Sequence, residues 1–231
     1  MTIERSALND VPVATPAERA QPEVLRIDDL WVRATGDRVG SGRWLVSGAS
    51  INVRRGEVVA IVGPSGSGKS TICLAILRLL ASNVEIVRGS IEFKGVDLVP
   101  VSERRMRTVR GTGIAMVFQD PLSSLNPVRK VGMQLIEARR LHGHDGRKAG
   151  RAWAIDTLLS LGFARPDEAY DSYPHSFSGG MRQRLCVGIA FSAEPDVVVA
   201  DEPTTALDIS LQGRLLRMLL DRAHELGTAT L

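Results

Sequence analysis

Apolar and polar positions partly alternate from Val24 to Val32 (VLRIDDLWV) and again from Leu45 to Val53, which predicts two strands of a small sheet. The apolar run Val58-Val59-Ala60-Ile61-Val62 predicts a further short strand that leads directly into a glycine-rich turn, and Thr71 to Leu77 behind that turn predicts a helix. Period two returns over Gly89 to Gly95 (GSIEFKG), a strand with a turn at Lys94-Gly95 expected to join the first sheet. Ile114 to Phe118 (IAMVF) predicts a buried strand ending at Gln119. From Val131 to about Leu161 the spacing turns helical through Val131, Leu135, Ile136, Trp153, Ile155, Leu158 and Leu159, broken at the loop HGHDG, so a small helical lobe is expected. Ser178 is a natural N-cap for a helix running from Met181 to Ala193 through Leu185, Ile189 and Ala190. The β-branched run Val197 to Ala200, closed by Asp201-Glu202, predicts a parallel strand covered on both faces. A helix from about Ser210 to Leu226 follows, with Leu211, Leu215, Met218 and Leu219 on one face, and Gly227 to Leu231 reads as a strand just beginning.

Composition narrows this outline. The 231 residues, 44% of them hydrophobic, suit one large domain or two small lobes around a real core. Residues 1–22, rich in Ala, Pro and Thr, lack an apolar face and are expected to form a disordered tail. No uncharged apolar run reaches the length of a membrane span, and MTIERSALND lacks a signal-peptide pattern, so a cytoplasmic location is expected. Cys73 and Cys186 each lie inside an apolar helical pattern and read as core residues. A net charge of +3 is too mild to argue for nucleic acid. The basic clusters at Arg104, Arg105, Arg107 and Arg110, and at Arg147, Lys148 and Arg151, have no interleaved aromatics to stack on bases, so they read as solvated faces. His142 and His144 alternate in a glycine-rich loop without cysteines, short of the four ligands of a structural zinc site, and read as a solvated loop.

Chemistry enters with Gly63 to Thr71, GPSGSGKST. A glycine cluster alone is an ordinary turn, but the full G-x-x-x-x-G-K-[ST] spacing between a predicted strand and a predicted helix describes a phosphate-binding loop. Gly63, Gly66 and Gly68 let consecutive N–H groups turn inward at a polyphosphate, in a cradle that also includes Ser65 and Thr71, while the helix N-terminus adds its positive end. Lys69 is expected to reach the β- and γ-phosphates and Ser70 to ligate Mg²⁺. Gln119 stands at the carboxyl end of its strand, where ligands of open α/β sheets gather, placed to meet Mg²⁺ or an attacking water. Asp201 is expected to hold Mg²⁺ through water and Glu202 to polarise the water that attacks the γ-phosphate. Ser178-Gly179-Gly180 reads either as a well-capped helix start or as a second anion-binding terminus.

In this order and spacing, GPSGSGKST, VFQDPLSSLNP, YPHSFSGGMRQRL and VVVADEPTTALD resemble the nucleotide-binding subunits of ABC transporters, over about Val24 to Leu231. The stretch Asp120 to Pro127 and the SGGMRQR form of the signature resemble the dipeptide and oligopeptide importer subgroup, with nickel importers and the ATPases associated with phosphonate breakdown sharing them. The resemblance implies an α/β P-loop NTPase core with a RecA-like parallel sheet, an N-terminal antiparallel β-subdomain and an inserted α-helical subdomain at about residues 121–190, all within a nucleotide-binding domain over 23–231. It implies an ATPase, with ATP and Mg²⁺ bound, coupled to transmembrane transport at the cytoplasmic face of the plasma membrane, peripherally attached. A second ATPase subunit, identical or different, would face this one head to tail, so that Ser178-Gly179-Gly180 closes the partner's ATP and Asp208 crosses the interface. Gln119 would couple the site to the helical lobe, which would touch permease subunits, and a periplasmic or extracellular solute-binding protein would act indirectly.

Three departures from the family pattern stand out. Ala34 occupies the position where the subgroup stacks adenine on an aromatic residue, with Trp31 and Trp44 nearby, and Met181 replaces the broad family's Gln. The family's switch histidine falls beyond Leu231, which leads to the expectation of a truncated chain that binds Mg-ATP but hydrolyses it poorly. The rival readings are a soluble ABC-type ATPase linked to DNA or ribosomes and a non-catalytic nucleotide-binding regulator. Long coiled-coil insertions and cysteine clusters, habits of the first rival, are missing.

Overall fold

The alternation behind the first strand changes phase within β1 (Glu23–Ala34): Leu25 and Ile27 are buried at odd positions, Leu30 and Val32 at even ones. Strand side chains alternate with period two, so keeping both pairs inside takes one extra residue. It is absorbed at Asp28-Asp29, where Asp29 has φ 46° and the register slips against both β2 (Arg43–Arg54) and β3 (Val84–Phe93). Gly89 in β3 crosses this bulge at φ 95°, and a Cβ there would stand 2.4 Å from the Asp29 carbonyl oxygen, so only glycine fits. With β4 (Val96–Asp97) the strands form an antiparallel sheet in the order β2-β1-β3-β4, as expected for an antiparallel β-subdomain.

The computed structural model describes residues 21–35, 42–141, 147–205 and 208–231, and the chain divides into two compact units, Met1–Arg110 with Gly227–Leu231, and Gly111–Leu226. The expected tail up to residue 20, the loop of His142 and His144, and Ala206-Leu207 lie outside the described residues.

Beside its sheet, the first unit holds α1 (Lys69–Ile76), which buries Ile72, Cys73, Ala75 and Ile76, and α2 (Glu103–Val109), capped by Ser102 and anchored by Met106. The strand expected over Val58 to Val62 does not form. Within this unit the segment makes one parallel bridge, Val58 to Thr230, fixed by Val59 N–H to the Thr230 carbonyl and Thr230 N–H to the Glu57 carbonyl, each 2.8 Å. A strand exists only where a ladder partner lies alongside, and Ala229–Thr230 is two residues long, so Val62 is left 64% exposed.

In the second unit, β5 (Ile114–Val117) and β6 (Val197–Ala200) pair in parallel, Ile114 with Val197 through Val117 with Ala200. Around them lie α3 (Pro121–Ser124), α4 (Val131–Leu141), α5 (Arg147–Ser160), α6 (Pro166–Asp171), α7 (Gly179–Phe191) and α8 (Ile209–Leu226). One core joins the strands to α7 and α8 through Val117, Val198, Val187, Phe191, Leu215 and Leu219. A second, built from Leu135, Ile136, Leu158, Phe163, Tyr170 and Leu185, unites the helices expected as a lobe. Helix α7 serves both cores, which is why it is apolar around most of its circumference. Both cysteines are buried thiols outside any disulfide, and burial pushes the Cys186 thiol up to about 12.

Candidate functional site

The glycine-rich loop curls because its glycines occupy conformations closed to other residues. Gly66 has φ 78° and Gly68 φ 96°, and a Cβ on Gly68 would lie 2.5 Å from the Leu45 carbonyl oxygen. Gly68 serves as the N-cap of α1, with Ile72 N–H donating to its carbonyl at 2.9 Å. The Lys69 ammonium donates back to the carbonyls of Gly63, 2.9 Å, and Pro64, 3.1 Å, so its charge is held over the loop rather than out in solvent. Ser67 Oγ is buried without a hydrogen-bond partner. An open helix N-terminus, left-handed glycines and a tethered ammonium together suit a polyphosphate anion. In the same unit, Trp31 and Trp44 meet edge to face, centroids 5.4 Å apart at 79°, with the Arg33 guanidinium 5.7 Å from the Trp44 ring, while Ala34 sits in the strand pair opposite Arg43.

In the second unit, parallel pairing brings Gln119, Asp201 and Glu202 together at the carboxyl ends of β5 and β6. The ladder extends one step past β6, Asp201 N–H donating to the Val117 carbonyl at 3.0 Å, which places the Asp201 side chain in a setting only 9% exposed. Glu202 then turns with φ 44°, a conformation rare for a side chain with a Cβ and concentrated at functional positions. Its carboxylate accepts from Gln119 Nε2 at 3.4 Å and from the Thr205 hydroxyl at 3.0 Å. The turn closes with Thr205 N–H donating to the Glu202 carbonyl at 3.2 Å. An acceptor-only carboxylate held on two sides in a fixed pose can take a proton from a third group.

The start of α7 has the expected cap. Ser178 Oγ accepts from Met181 N–H at 3.4 Å, and a Cβ on Gly179 would meet nothing within 4 Å, so the helix terminus is open to approach. Three polar residues escaped the sequence reading. Thr205 holds Glu202. Gln183, buried in α7, donates from Nε2 to the Phe118 carbonyl at 3.3 Å. Gln134 spans the loop before α4, accepting from Asn126 N–H at 2.9 Å and donating to the carbonyls of Asn126 and Arg129 at 3.0 and 2.9 Å. A polar residue at a helix's buried face was the available signal for Gln134 and Gln183, since such a group needs a partner.

A family model described as ABC transporter matches residues 46–205, from β2 through the Glu202 turn. The chain belongs to the ABC transporter family. Among curated relatives of this ABC chain, the probable peptide ABC transporter ATP-binding protein y4tR of Sinorhizobium fredii is 44% identical over 187 residues, covering 80% of this chain and 56% of that protein. The dipeptide transport ATP-binding protein DppD of Escherichia coli is 42% identical over 198 residues, covering 86% of this chain and 60% of that one. The chain thus spans somewhat over half the length of these relatives. Among solved structures, the dimeric post-hydrolysis state of the ATP-binding cassette MJ0796, bound to ADP and Pi, matches with a TM-score of 0.75 at 23% identity, over 89% of this chain and 85% of that chain. That likeness establishes the fold as the α/β P-loop NTPase fold of ABC cassettes.

Proposed function

We propose that this chain is the ATP-binding part of a subunit that energises an ABC importer for peptides or a related small solute. The observation that carries the chemistry is the Glu202 carboxylate, held by Gln119 and Thr205 at the end of β6, in a chain that also builds a phosphate-type loop at Gly63 to Thr71. The solute class is supported by the names of the relatives, a peptide and a dipeptide transport ATP-binding protein.

On this reading Gly63, Ser65, Gly66, Gly68 and Thr71 shape the cradle, and Lys69 exchanges its carbonyl contacts for the β- and γ-phosphates of ATP. Ser70, Gln119 and Asp201 supply oxygens of the hard type that Mg²⁺ prefers, and the ion would neutralise charge on the phosphates. Glu202 accepts a proton from the attacking water, and Gln119, already in contact with it, orients that water. Ser178, Gly179 and Gly180 offer an open helix terminus to the nucleotide of a second, head-to-tail ATPase subunit, identical or different. No described helix is long and apolar enough to cross a membrane, and the subunit is taken to attach to permease subunits at the cytoplasmic face, with a solute-binding protein acting through the permease.

The test is reconstitution with candidate permeases and a peptide-loaded binding protein. Peptide is expected to stimulate ATP turnover, and Glu202→Gln to lower turnover about 10²-fold or more while leaving nucleotide binding intact, the range of a lost general base. Undiminished turnover in the Glu202→Gln protein would remove Glu202 from the chemistry. Stimulation by nickel or phosphonate instead of peptide would change the solute class.

A further inference from the structure

We propose that Gln183 is a positioning residue that latches the start of α7 to the loop carrying Gln119, so that the Ser178 terminus and the Glu202 contact are set together. The side chain is 1% exposed on a helix whose neighbouring buried residues, Leu185, Cys186 and Val187, are apolar or inert. Packing alone would be served by Leu or Met there, and a buried amide is retained where it finds a partner. The partner is specific. The Val117 carbonyl is taken by Asp201 N–H, the last bond of the parallel ladder, so the next carbonyl, that of Phe118, lies beyond strand pairing and accepts from Gln183 Nε2 at 3.3 Å.

One turn further along α7, Cys186 Sγ lies 4.0 Å from the Pro121 carbonyl. The helix thus holds the loop at Phe118 and at Pro121, with Gln119 between the two points and its own amide on Glu202 at 3.4 Å. Ser178 caps this same helix roughly 8 Å before Gln183, at 1.5 Å of rise per residue. A continuous set of contacts therefore runs from the open terminus at Ser178 along α7 through Gln183 to Gln119 and Glu202. Resting on the function proposed above, it makes the state of one nucleotide, at the Ser178 terminus, felt at the carboxylate that serves another.

The test uses the complete subunit in its transporter, with Gln183→Met to keep length and apolar packing while removing the amide, and Gln183→Asn to keep the amide but shorten its reach. Loss of one hydrogen bond is expected to speed amide exchange at residues 119, 120 and 122 about tenfold in both variants, with global melting little changed. Turnover at saturating ATP is expected to fall about tenfold with KM within about twofold, because Gln119 is displaced rather than the nucleotide. Wild-type exchange rates over 119–122 would overturn the latch, as would slow turnover without faster exchange there. If the parent transporter shows no ATP turnover, the functional reading fails while the exchange measurement still decides the latch.

Discussion

Gly68 does three things that no other residue can do at once: it adopts φ 96°, it caps α1, and it lets β2 approach so closely that a Cβ would sit 2.5 Å from the Leu45 carbonyl oxygen. The last contact is to backbone, which cannot rotate away. Gly68→Ala is therefore expected to destabilise the protein by on the order of 1–3 kcal/mol through strain, visible in denaturant titration, and to weaken nucleotide binding in equilibrium titration. Wild-type stability in this variant would show that the loop can move off Leu45. Glu202 presents the converse case. It carries φ 44° without being glycine, and its conformation is secured by the Thr205 turn, so the strain belongs to the placement of the carboxylate.

Among the elements, α7 shows how a terminus and a flank are separate devices. Ser178 satisfies one of the orphan N–H groups of the first turn, and removing it in Ser178→Ala is expected to cost about 1 kcal/mol, read as a lower denaturation midpoint with an unchanged slope. A loss below a few tenths would mean that solvent caps this exposed end equally well. The cap was legible in the sequence because it is local, as were the glycine loop and helix around Lys69 and the β-branched run of β6. What the sequence could not disclose involves distance along the chain. Gln183 and Phe118 are 65 positions apart, and Gln119 and Glu202 are 83 apart, so motif spacing named these residues or passed over them without saying which touch. The bulge at Asp29 was hidden for another reason: the apolar pattern VLRIDDLWV shows a broken alternation, which fits a bulge or a strand end equally, and only the two neighbouring strands resolve it. Val58 to Val62 has strand-forming residues, yet propensity does not supply a ladder partner, and the bridge to Thr230 is what the first unit provides.

Charge is a property of the whole chain, 29 basic against 26 acidic side chains, and two ion pairs make its stability respond to pH in different ways. The hydrogen bond from Arg110 holds the Glu103 carboxyl below its ordinary 4.5, and the hydrogen bond from Lys130 holds Asp171 below its ordinary 3.8. Both carboxylates bind protons more weakly folded than unfolded, so their contribution is complete above those ordinary values and is lost as pH falls through the lower, folded ones. Lys130 runs the other way. Its bond to Asp171 raises it above 10.5, so its contribution is complete below that value and is lost as pH rises through the folded one. The Glu103 pair is lost as its carboxylate takes up a proton in acid, whereas the Lys130–Asp171 pair, 2.9 Å long, fails at both extremes. Melting temperature is thus expected to be flat between about pH 5 and 7 and to fall below about pH 4.5, where growing positive charge adds repulsion to the lost pairs. Glu103→Gln should flatten the acid limb alone, and Asp171→Asn should flatten both limbs, each effect small and diminished by salt because the pairs are exposed. Thermal melts across the pH range at low and high ionic strength distinguish the two variants, and an alkaline limb unchanged in Asp171→Asn would show that Lys130 does not depend on Asp171.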